Sequence, residues 1–90
     1  MKYSIMVIHS RDNVGVALEH IHPGEMAEAK GSEAFPVLEK IPSSHKVALR
    51  DIGAGEEIIK YGEVIGVSAR AVKKGEWVHT HNMESERCSK

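Results

Sequence analysis

The sequence predicts a single small all-β domain, and three observations carry that expectation. Extended candidates of four to seven residues recur along the chain between Gly, Pro, Ser or Asn, the alternation of short strands and tight turns that marks a small β fold. A block made of a β-rich stretch, an apolar residue, two variable residues and Gly-Glu occurs three times, which reads as one turn design reused, with a Gly free to take positive φ. Helix-forming sequence is confined to Glu25 to Lys30, between Pro23-Gly24 and Gly31-Ser32, where it leaves room for one or two helical turns or for a solvated loop.

The first extended candidate is Tyr3 to His9. Its apolar run, Ile5 to Ile8, meets His9, Ser10, Arg11, Asp12 and Asn13 at once. That is far shorter than the ~7 to 15 apolar residues of a secretory signal, so the segment reads as a strand and the protein as cytoplasmic. Asp12 to Leu18 is the second candidate and runs into the first copy of the block, Val16 to Glu25. Phe35 to Lys40 follows the short helical candidate, and Ile41-Pro42-Ser43-Ser44 is a turn-like lead-in to the strand Lys46 to Leu49. The second copy of the block spans Val47 to Glu56 and the third, looser one spans Val67 to Glu76. Between them, Glu57 to Lys60 and Val64 to Ala69 flank Tyr61-Gly62-Glu63, a hairpin turn. Trp77 to His81 is the last strand. The core is expected over about residues 5–82, with a polar tail at 83–90 that carries the lone Cys88 and no disulfide framework.

Ninety residues, 41% hydrophobic and 28% charged, make one soluble globular domain. Such a chain buries only about 60% of the surface that its unfolded form exposes. Twelve Lys and Arg stand against thirteen Asp and Glu, a formal charge of −1. That balance leaves no basic stripe for phosphate, so neither nucleic acid nor a membrane is an expected partner. Six His are set against few aromatics, Tyr3, Phe35, Tyr61 and Trp77. The chain is thus poor in bulky core and rich in titratable imidazole. A drug-sized pocket takes roughly 300 to 1,000 Å³, so any active site is expected to be shared with another chain, with a homo-oligomer open to the isolated chain.

The most specific local constellation is Val78-His79-Thr80-His81-Asn82. In a strand, residues i and i+2 share a face, so His79 and His81 would stand side by side, the spacing that a divalent cation bridges. Two histidines facing water on a polar strand have the same spacing. His45 and Lys46 sit at a strand mouth, where they would bind a carboxylate or relay a proton, or where Lys46 is simply solvated. Asp12 and Asn13 lie between two strand candidates and suit either a ligand contact or local backbone bonds. Lys60 and Tyr61, near a hairpin tip, offer an ammonium and a phenol to an anion, as any surface turn would. His9, His20 and His22 are dispersed and read as structural or surface residues.

Four ordered blocks give the chain a closer likeness: His9 to Leu18, His45 to Leu49, Ile59 to Gly66 and Gly75 to Asn82. Across them it resembles the SAF-type amino-terminal domain of the altronate dehydratase family. These are sugar-acid dehydratases related to galactarate dehydratase and to the small subunit of sulfolactate sulfo-lyase. The terminal His-x-His-Asn resembles the altronate-type branch rather than the galactarate type. The resemblance implies a β-clip fold and a small subunit that eliminates water from an anionic hydroxy acid together with a large catalytic dehydratase subunit. It also implies a divalent metal, Fe2+ or Mn2+, held mainly with the large subunit. On this chain it points to His45, Lys46 and Tyr61 as catalytic residues, to Asp12, Asn13, Lys60 and Asn82 as substrate contacts, and to His79 and His81 as metal ligands. A sulfolactate-type lyase subunit and a non-catalytic carbohydrate-binding or structural module are the alternatives.

Overall fold

The computed structural model describes residues 3–85, and the all-β expectation holds throughout them. Among the described residues, β1 (Ile5–Met6), β2 (Val14–Ala17), β5 (Lys46–Ala48) and β8 (Trp77–Val78) form a four-stranded antiparallel sheet in that order. A second sheet pairs β3 (Met26–Ala27) with β4 (Phe35–Pro36), and a third orders β6 (Glu57–Lys60), β7 (Glu63–Ser68) and β9 (Met83–Ser85). The register of the first sheet sets Val16 opposite both Met6 and Lys46, and then Lys46 opposite Val78 and Val47 opposite Trp77. No helix among the described residues is long and apolar enough to cross a membrane.

Strand alternation divides the core in two, because successive side chains leave a strand on opposite faces. Val47 joins Ile5, Ala17, Ile21, Ala27, Phe35, Val37 and Ile41 on one side. Its neighbour Ala48 joins Val14, Ile52, Ile58, Val72 and Val78 on the other. Trp77 and Val78 divide in the same way, so β5 and β8 serve both clusters at once.

The repeated block behaves as the sequence implies and occurs once more than its Gly-Glu signature shows. Ile21 bridges Ile41, and Ile52 bridges Val72, each pair antiparallel. Each of the four residues opens a turn whose third following residue has positive φ: Gly24 at 87°, Ser44 at 71°, Gly55 at 83° and Gly75 at 92°. In every copy the next residue closes the turn by donating its backbone N–H three residues back, Glu25 to His22, His45 to Pro42, Glu56 to Gly53 and Glu76 to Lys73, at 2.9 to 3.1 Å. The two pairs of bridged turns give the molecule its bent, clip-like layout.

Three expectations are corrected. Glu25 to Lys30 contains a strand, β3, and neither a helix nor a loop throughout. Its burial has period two, with Ala27 and Ala29 inside at 0% and 4% exposure while Met26 lies outside, and that tertiary burial overrides helix propensity. The last strand ends at Val78 and not at His81, because residues 79–82 turn. Beyond the expected end of the core, Met83–Ser85 pairs with β7 as β9. Gly66 makes that pairing possible, since a Cβ there would collide with the carbonyl oxygen of Glu84. Cys88 and the rest of 86–90 lie outside the described residues.

Candidate functional site

The fourth turn, Ile41-Pro42-Ser43-Ser44-His45, builds the site by departing from the other three. In those, a Glu carboxylate closes the loop: His22 N–H donates to Glu25 Oε1 at 2.7 Å, Gly53 N–H to Glu56 Oε1 at 2.6 Å and Lys73 N–H to Glu76 Oε1 at 2.7 Å. Pro42 has no N–H to offer, so a Glu at position 45 would have nothing to cap. The position is free of structural duty and carries His45. Its Nδ1 accepts the indole Nε1–H of Trp77 at 3.1 Å.

Trp77 is fixed from both ends. Its backbone N–H donates to Glu39 Oε2 at 3.0 Å, and its carbonyl accepts Asn82 Nδ2–H at 2.8 Å. Asn82 also accepts the His79 N–H on Oδ1 at 2.9 Å and donates its own N–H to the His79 carbonyl at 3.0 Å. These bonds wind 79–82 into a tight loop that folds its histidines back onto the indole. The His79 ring stacks on Trp77 at 5.4 Å between centroids and 8° between planes, and His81 lies at 5.0 Å and 45°. His45 completes the group, 4.7 Å from His79 and 5.6 Å from Trp77. His79 and His81 therefore meet through a turn around a shared indole, not through strand alternation.

Lys46 borders this group on β5. Burial first, and then the charge of Lys60, push its ammonium below the usual lysine range. His79 is lowered as well, by desolvation first and then by His45, Lys46 and His81. A lowered pKa keeps His79 as neutral imidazole at neutral pH, with a lone pair free for a proton or a cation. Lys60, whose charge acts on Lys46, reaches the ring of Tyr61 at 4.7 Å on the β6–β7 hairpin. Tyr61 at φ 61° and Gly62 at φ 73° form its tip, and Tyr61 is 56% exposed. The imidazoles gather around Trp77 as a polar rim with Lys46 near His79, while Lys60 and Tyr61 sit together on the hairpin. Among the described residues, no three or more His, Cys, Asp or Glu side chains converge as a cation site.

Asp12, Asn13 and Asn82 are placed differently, buried at 9%, 1% and 3% exposure. Asp12 accepts backbone N–H groups from His9, Tyr61 and Gly62 at 2.8 to 3.2 Å. Asn13 spans to β6, donating to the Glu57 carbonyl and accepting from Ile59 N–H, both at 2.8 Å, across the bulge between Ile58 and Ile59. These three side chains hold the loops that carry the rim. His9 packs on Gly62, His20 accepts Ser43 N–H on Nδ1 at 3.2 Å, and His22 is exposed on its turn. The residue that sequence reasoning left out is Trp77. A lone Trp at the start of a strand gives no local signal of that role, which rests on a hydrogen bond to His45, 32 positions away in the chain.

Residues 3–86 match the family of altronate/galactarate dehydratase SAF domains. The chain is 42% identical over 71 residues to galactarate dehydratase (L-threo-forming) of Escherichia coli, covering 79% of this chain and 13% of that protein. It is 38% identical over 82 residues to altronate dehydratase of Bacillus subtilis, covering 91% of this chain and 16% of the relative. The (2R)-sulfolactate sulfo-lyase subunit alpha of Chromohalobacter salexigens is 35% identical over 88 residues, with 90% of this chain and 94% of that subunit covered. The chain thus spans less than a fifth of the two dehydratases and nearly all of the sulfo-lyase subunit. With the fold, the reused turns and the match over almost its whole length, the chain belongs to the altronate/galactarate dehydratase SAF domain family.

Proposed function

We propose that this domain works with a large catalytic dehydratase chain to eliminate water from an anionic sugar acid, its imidazole and lysine rim forming one wall of a shared active site. The observation that supports this most is the convergence of His45, Lys46, His79 and His81 around Trp77 on the surface of a domain of that family. In such a reaction a base removes the proton α to the carboxylate, negative charge builds on an enediolate, and hydroxide leaves as water with a proton from an acid. Lys46 and Lys60 supply fixed positive charge to the substrate carboxylate. His45 donates a hydrogen bond to the departing oxygen, and Tyr61 extends the rim along the hairpin toward the partner. A divalent metal, Fe2+ or Mn2+, held mainly by the large chain, would supply Lewis-acid stabilisation of the enediolate. His79 and His81 fit that role as nitrogen donors that need further ligands from elsewhere.

Coverage of nearly the whole sulfo-lyase subunit alpha favours a second reading, in which the departing group is sulfite. Both are tested by purifying this chain with its large partner and assaying altronate, galactarate and sulfolactate with added Fe2+ or Mn2+. The expected result is keto-acid or sulfite release by the complex and none by the 90-residue chain alone. Turnover by the small chain alone contradicts the shared site, and a complex inactive on all three acids favours the non-catalytic module.

A further inference from the structure

We propose that Trp77 is a positioning residue that holds His45 in a single tautomer, proton on Nε2, so that His45 acts as a hydrogen-bond donor to an anionic oxygen and not as a third metal ligand. This deepens the lyase reading and rests on it only for the identity of that oxygen.

An indole N–H is a donor only, and a neutral imidazole carries one N–H and one acceptor nitrogen. With Trp77 Nε1–H directed at His45 Nδ1 at 3.1 Å, Nδ1 is the acceptor and the ring proton sits on Nε2. Histidines that bind a metal through Nε2 present the opposite arrangement, an Nδ1–H given to a carboxylate or carbonyl. His45 faces a donor where such a ligand needs an acceptor. The indole is not free to turn away. Its residue is tied by Glu39 and Asn82 at the backbone, and its ring is stacked under His79 at 8° between planes. Nor is the imidazole drawn off by its own turn, since Pro42 leaves nothing at that position to cap. Lys46 and His45 both lie near enough to His79 to act on it, so a second donor stands by the same group, as binding of a carboxylate requires.

The test is the tautomer itself, read from long-range proton–nitrogen NMR correlations of the labelled chain at a pH where its imidazoles are neutral. The expected spectrum gives His45 a pyridine-type Nδ1 and a pyrrole-type Nε2. Trp77→Phe keeps an aromatic ring but removes the donor, and should lower the Nε2–H to Nδ1–H ratio roughly 2- to 10-fold, the usual worth of one hydrogen bond. A wild-type His45 protonated on Nδ1, or a folded Trp77→Phe variant with an unchanged ratio, overturns the assignment. Should that variant fail to fold, the wild-type spectrum decides alone. No turnover enters this readout, so an inactive complex would count against the lyase reading and leave the tautomer standing.

Discussion

His79 carries the clearest consequence at the scale of single residues. Burial and the neighbouring His45, Lys46 and His81 depress its pKa below the imidazole value of 6.5, so the unfolded chain takes up that proton first. The stability this site contributes is complete above about pH 6.5 and is lost as pH falls through that value toward the folded pKa. An NMR titration should place the His79 midpoint below 6.5, and Lys46→Met, which removes a positive neighbour, should move it upward. Asn82→Ala tests the scaffold: it leaves the His79 N–H and the Trp77 carbonyl without their partner and should cost roughly 2 kcal/mol in urea unfolding. Sequence reasoning reached His45, Lys46, His79 and His81 through their residue types and order. It did not reach Trp77, because a lone indole in a strand reads as core, and what sets it apart here is one hydrogen bond to a residue far away in the chain. Asp12, Asn13 and Asn82 were legible as important polar positions, but only their burial shows that backbone groups occupy them.

The strands and turns were legible where their signal is local. The positive-φ glycines of three turns and the Tyr61-Gly62 hairpin follow from composition and spacing. The fourth turn was hidden because Ser44 replaces the Gly and His45 the Glu. Ser44 holds a left-handed φ of 71°, a strain of about 1 to 2 kcal/mol for a residue with a Cβ, against about 0.5 to 1 kcal/mol for the added freedom of an unfolded Gly. Ser44→Gly is therefore expected to raise unfolding stability by about 0.5 kcal/mol, and a loss on denaturation would show that the turn uses the serine otherwise. β3 and β9 were missed for different reasons. Ala and Glu favour helix in isolation, whereas Ala27 and Ala29 are claimed by the core. β9 is polar and owes its place to the room left by Gly66. Gly66→Ala should displace it, which hydrogen exchange would record as lost protection at 83–85, with about 1 to 3 kcal/mol of stability lost to the clash.

At the scale of the whole molecule, two small clusters share β5 and β8, and the imidazole group sits where those strands end. On a body with extents of 42 × 23 × 19 Å, the rim is read as one wall of a site completed by a larger chain. The most direct test is steady-state turnover of the assembled complex carrying His45→Ala, His79→Ala or His81→Ala, beside His22→Ala on an exposed turn as control. The expected result is a fall in kcat of about 100-fold for His45→Ala, the usual scale for losing a hydrogen-bond donor to a developing anionic oxygen, lower metal content for the His79 and His81 variants, and an unchanged control, with assembly intact throughout. Unchanged turnover and metal content in all three would contradict the assignment of this rim to the active site.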